Sequence, residues 1–167
     1  MNAVDILKCR RSVRVFQNKE ISKKVLEDLI DVARFSPTAR NVQPWEFIAI
    51  TNNEALKKIS ELGENARPIA GAKACIAVFC ADSTKYYLED GCSATVNILN
   101  AAAALGIGSC WIAGDKKPYC DEVARLLSIP SGLKLVSLIA LGYPEDKQSF
   151  KLADKRALAE VIHWEKF

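Results

Sequence analysis

Residues 10–14 run Arg10-Arg11-Ser12-Val13-Arg14, three guanidinium groups and a hydroxyl within five positions. A guanidinium offers a planar fork of N–H donors that matches two phosphate oxygens at once, which an ammonium group cannot do. A hydroxyl between such forks suits an oxyanion. Val13, Val15 and Phe16 alternate with the polar residues, so the pattern predicts an extended, half-buried segment with one row of side chains aimed together. No acidic residue interrupts the cluster. From chemistry alone the stretch is either a phosphate site or a solvated charge run.

Two other stretches carry groups that could meet a ligand. In SPTARNVQPW, Pro37 and Pro44 stiffen a polar turn, while Asn41 and Gln43 carry amides that both donate and accept. Such amides can read the edge of a heterocycle with alternating carbonyl and N–H groups; the same residues also suit a capping turn after a helix. In LGIGSCWIAG, small residues let backbone N–H groups approach a flat ligand, or simply turn a helix into a strand.

Familiar catalytic signatures fail. Gly106-Ile107-Gly108 begins like a dinucleotide fingerprint, but Trp111 stands at the third glycine and the stretch follows a helix. Gly91 to Thr95 resembles a nucleophile elbow without its closing glycine. His163, the one histidine, sits beside Trp164 near the C-terminus and reads as structural. The six cysteines (Cys9, Cys75, Cys80, Cys92, Cys110, Cys120) form no C-x-x-C pair, which argues against a zinc site. Those in apolar runs behave as small hydrophobes, so a reducing, cytoplasmic setting is expected.

The elements that must position these groups follow from periodicity. Asn2 caps a short helix NAVDILKC with Val4, Ile6 and Leu7 inward, and Ser22 caps KKVLEDLIDVARF, which Pro37 ends. WEFIAI is a strand, and EALKKISEL a helix opened by Asn53 and stopped at Gly63. ACIAVFCA is apolar throughout, as in a strand buried on both faces. LEDGCSATVNILNAAAAL is a helix apolar around most of its circumference, buried in a core or by a partner chain. A short strand SCWIAG, a helix near YCDEVARLL, a strand KLVSLIALG and a final helix RALAEVIHWE complete one expected domain over residues 1–167. The net charge of +3 gives no case for nucleic acid, and no stretch reaches the roughly 20 apolar residues of a membrane span.

In order and spacing, RRSVRVF, SPTARNVQPWEF, AAAALGIGSCWIAG, LIALGYPED and the pair Lys155-Arg156 before ALAEVIHWE resemble the nitroreductase family of FMN-dependent oxidoreductases, in its short branch. The resemblance implies an α+β sandwich, a central and mostly antiparallel sheet surrounded by helices, in a domain-swapped homodimer with FMN at the subunit interface. It implies that Arg10, Arg11, Ser12 and Arg14 form the first FMN segment, with Arg14 toward the pyrimidine end of the ring. By the same likeness, Lys155 and Arg156 return to the phosphate, and Pro37, Thr38, Ala39, Asn41 and Gln43 cover the flavin from the other subunit. Ile112, Ala113 and Gly114 would bring backbone N–H groups to flavin N5, Ala113 replacing the acidic residue of larger members. GENARPIAGAK aligns poorly and contributes no residue. The activity implied is ping-pong reduction of a small electron acceptor by NADH or NADPH. A flavin-binding protein without turnover, or chemistry on flavins or halogenated aromatics, are the alternatives.

Overall fold

The computed structural model describes residues 2–146 and 150–167. Four strands form one sheet: β1 (Trp45–Ile50), β2 (Ala74–Ala81), β3 (Gly108–Ala113) and β4 (Leu133–Gly142). Their order is β1-β2-β4-β3, and every neighbouring pair is antiparallel. The central strands are β2 and β4, which explains why ACIAVFCA and the second half of LKLVSLIALG are apolar at every position. Ile76, Val78, Ile139 and Leu141 face one layer, α2 (Lys23–Ala33) and α4 (Tyr87–Ala104). Cys75, Phe79, Leu138 and Ala140 face the other, built from α3 (Asn53–Glu61), the 3-10 helix Glu64–Gly71 and α5 (Cys120–Leu126). Helices therefore cover both faces of an antiparallel sheet, the architecture expected from the sequence.

Caps fix where the helices start. Asn2 and Asp5 form a reciprocal capping box on α1 (Ala3–Cys9), the Asn2 side chain accepting from Asp5 N–H at 3.0 Å. Ser22 accepts from Val25 N–H, and Asn52 accepts from Ala55 N–H at 3.0 Å, one residue before the expected Asn53 start. Between Val78 and Phe79 the β2–β4 register slips, so that Val136 has no partner across the ladder. This bulge turns Val136 toward α4, where Gly91 leaves room for it: a Cβ on Gly91 would lie 2.7 Å from Val136 Cγ2.

Two expectations fail. No residue of α1 is buried, and Val4 and Leu7 are 56% and 53% exposed, because nothing among the described residues closes over that face. The final helix is absent: after Ala157 there is only a 3-10 turn at Leu158–Glu160, with Leu158 and Trp164 exposed. A segment this short is not helical on propensity alone, and here no core receives its apolar side.

Candidate functional site

The RRSVR segment is extended, as its alternation predicts. Ser12 bridges Ser109 in parallel, with Val13 N–H donating to Ser109 O at 2.9 Å, and Phe16 bridges Pro144. Val13 is buried against Gly108, where a Cβ would lie 2.8 Å from Val13 Cγ1. The N-terminal segment thus docks on the outer edge of β3 and stops there. Beyond it no strand of the described residues pairs with the outer edge of β3.

Which N–H groups that edge presents follows from the pleat. Gly114 N–H donates to Val136 O at 2.9 Å, so Gly114 occupies a hydrogen-bonded position opposite β4. Alternation then turns the N–H groups of Trp111 and Ala113 away from β4, toward the open edge. Ile112 is buried and Gly114 is packed tightly, so of the three residues expected here Ala113 alone is exposed and presents a free-edge amide. Ala113 O points to the same outer edge, where it accepts from the Tyr119 hydroxyl.

Two grooves flank the docked segment, and Arg14 borders both. The first, of about 520 Å³, is lined by Arg11, Ser12, Arg14 and Lys151, with Glu145 and Asp146 on the facing side. These carboxylates soften the unneutralised cluster read from the sequence; the Phe16–Pro144 bridge brings them in from more than a hundred residues away. Arg11 Nη1 donates to Lys8 O at 3.0 Å and to Arg10 O, whereas its Nη2 is buried with no hydrogen-bond partner. Among the described residues it is the only buried side-chain nitrogen or oxygen so left. An unanswered cationic donor is costly to bury and suits an anion's oxygen.

The second groove, of about 400 Å³, runs along Trp111, Ile112 and Ala113. Its far wall is the 3-10 helix Glu64–Gly71, through Asn65, Arg67 and Pro68, a segment from which the sequence assigned no residue. Cys110 also lines it; burial pushes its thiol up, and Arg14 acts the other way.

The remaining expected residues are elsewhere. Arg10 is half-buried but lines neither groove. Lys155 and Arg156 are exposed and line neither groove, and Arg156 Nη2 donates to Glu160 O at 2.8 Å. Pro37, Thr38, Ala39, Asn41 and Gln43 form a separate loop on α4. Thr38 Oγ1 donates to Asp90 Oδ2 at 2.8 Å, and Ala39 N–H points to Asp90 Oδ1 at 3.4 Å. Asp90 escaped notice in the sequence, where it is one of two acids, with Glu89, in the first turn of a helix. Among the described residues no cluster of three or more His, Cys, Asp or Glu could hold a metal ion, and no helix is long and apolar enough to cross a membrane.

The nitroreductase family model matches residues 7–82 and 72–143. An Archaeoglobus fulgidus protein, provisionally named NADH dehydrogenase/NAD(P)H nitroreductase, is 39% identical over 165 residues, covering 95% of this chain and 94% of that protein. Among solved structures, a Parabacteroides distasonis protein of the same provisional name superposes with a TM-score of 0.92 at 26% identity, all of both chains being covered. The FMN-dependent nitroreductase of Clostridium difficile R20291 gives 0.88 at 25% identity, over 98% of this chain and 99% of that one. With a family model over most of the chain and a relative matched nearly end to end, the chain belongs to the nitroreductase family.

Proposed function

We propose that this chain is an FMN-dependent oxidoreductase that uses NADH or NADPH to reduce a small-molecule electron acceptor, with residues 1–167 acting as one FMN-binding domain of a homodimer. The observation that carries this is Arg11, whose Nη2 is buried without a partner among the described residues and which lines, with Ser12, a groove that Arg14 shares with the one along Ala113. An anion answers the first end and a flat heterocycle with an acceptor nitrogen answers the second. FMN has both, and the names of relatives speak of FMN and NAD(P)H.

When bound, FMN supplies a two-electron carrier between nicotinamide and acceptor. Arg11 and Ser12 would hold its phosphate; Arg10, which lines neither groove, would contribute only as the adjoining positive charge in the chain. Arg14 puts a fixed cation at the pyrimidine end, where electron density accumulates on reduction. Ala113 N–H would be the backbone donor offered to N5, and Ile112 and Gly114 aim that amide by anchoring the strand on β4. No protein nucleophile or general base is needed, and donor and acceptor occupy the same open face in turn.

The homodimer reading draws support from an uncovered apolar groove of about 630 Å³ between α1, α2 and α4, bordered by Leu7, Val32 and Leu105. The exposed apolar residues of the C-terminal segment, Leu158 and Trp164 among them, have the same need of a partner. In the dimer that segment is laid down so that Lys155 and Arg156 reach a phosphate, and the loop of Pro37, Thr38, Ala39, Asn41 and Gln43 covers the ring of the second copy. Six free thiols accord with a reducing, cytoplasmic setting.

Titration of flavin-free protein with FMN, followed by quenching of flavin fluorescence, tests the assignment. Wild type should take up one FMN per chain. Arg11→Ala should bind about ten- to a hundredfold more weakly, the loss of a hydrogen bond to a charged group, with unchanged far-ultraviolet circular dichroism. Equal affinity in the two proteins would contradict the phosphate site.

A further inference from the structure

We propose that Asp90 is the positioning residue of the 37–43 loop, acting through the Thr38 hydroxyl to hold the loop in the one form that meets the flavin. The proposal rests on the FMN reading above.

Asp90 is 6% exposed on α4 and joins none of the ion pairs among the described residues. A buried carboxylate is costly unless hydrogen bonds answer it. Here the answering groups, Thr38 O–H and Ala39 N–H, come from the loop, some fifty residues away in sequence. A carboxylate can only accept, so the Thr38 proton is committed to Asp90. That leaves a Thr38 lone pair, and Gln43 N–H donates to it at 3.1 Å. The relay Gln43 N–H to Thr38 O–H to Asp90 thus closes the loop on itself and ties it to α4.

Within this closure the backbone is strained. Arg40, Asn41 and Gln43 all lie in the left-handed region, with φ of 55°, 56° and 52°. None is glycine, and such conformations persist only where the surroundings over-determine them. Packing does not hold them, since all three side chains are exposed. The polar relay does, aided at the loop's entry by Asn97 Nδ2, also on α4, donating to Ser36 Oγ at 2.7 Å. The result is an exposed loop of fixed backbone, with Gln43 Nε2 also donating to Asn41 O at 3.4 Å.

The same turn of α4 sets the other half of the site. Gly91, next to Asp90, packs on Val136, whose carbonyl receives Gly114 N–H. One helix turn therefore registers both the loop and the end of β3.

Thr38→Val removes both hydrogen bonds of the hydroxyl with little change in shape, at a half-buried loop position outside the core. Amide exchange at Ala39 and Gln43 in the flavin-free protein should speed up, and FMN affinity should fall about tenfold. The visible circular dichroism of bound flavin should change as well. Thr38→Ser keeps the hydroxyl and should restore all three. Asp90→Asn turns an amide donor toward the loop's donors and should also accelerate exchange. Unaltered affinity and flavin dichroism in Thr38→Val, or a Thr38→Ser as impaired as Thr38→Val, would overturn the proposal. Wild-type protein that takes no FMN would sink the flavin reading, and the exchange rates would still decide whether Asp90 clamps the loop.

Discussion

Gly114→Ala strikes the point where β3 leaves the sheet. A Cβ there would lie 2.6 Å from Leu135 O and 2.7 Å from the carbonyl carbon and oxygen of Val136. All three are main-chain atoms, so no rotamer can yield. Reaching an ordinary contact of 3.4 Å requires the end of β3 or the β4 bulge to move by roughly 0.8 Å. That shift also breaks the 2.9 Å bond from Gly114 N–H to Val136 O. Overpacking costs about 1–3 kcal/mol and the lost bond about 1 kcal/mol, so about 2–4 kcal/mol in all. For a domain of this size the melting temperature should fall by about 5–15 °C. Gly71→Ala is the control, since its Cβ would meet nothing within 4 Å. It should melt within about 2 °C of wild type. Thermal denaturation by circular dichroism separates the two, and FMN titration should show weaker binding in Gly114→Ala alone. A Gly114→Ala protein that melts with the Gly71→Ala control would refute the close approach of β3 to the bulge.

Other outcomes follow from burial. Burial pushes the Cys75 thiol from its usual 9 up to about 12. The unfolded chain releases that proton from pH 9 onward while the folded chain keeps it, so stability is full below pH 9 and declines as pH rises toward 12. The loss reaches about 4 kcal/mol for this thiol. Urea midpoints should drop between pH 9 and 11, less so in Cys75→Ala; a flat wild-type midpoint would contradict this. Leu7→Glu with Val32→Glu charges the open groove between α1 and α2. Sedimentation equilibrium should give the mass of two chains for wild type and one for the double variant, and a one-chain mass for wild type would contradict the homodimer.

Local signals in the sequence were good guides where each element is stabilised by its own pattern. The run ACIAVFCA could only be a strand covered on both faces, and Ser22 and Asn2 announced their helices through donors that any helix start leaves open. The arginine cluster was visible, but not the carboxylates facing it, because Glu145 and Asp146 arrive through pairing of segments far apart in sequence. Which amide near Gly114 stays available depended on strand pairing, which composition does not encode. Asp90 looked like an ordinary early-helix acid until the loop folded onto it. The last segment carried a helical pattern whose apolar side finds no core among the described residues, so periodicity there misled.

The most direct test is an anaerobic one. Purified protein reconstituted with FMN and kept free of oxygen should lose its visible flavin absorbance on addition of NADH or NADPH, and regain it when an acceptor such as a quinone or nitroaromatic is added. A protein that binds FMN yet stays yellow under both nicotinamides would contradict the proposed oxidoreductase.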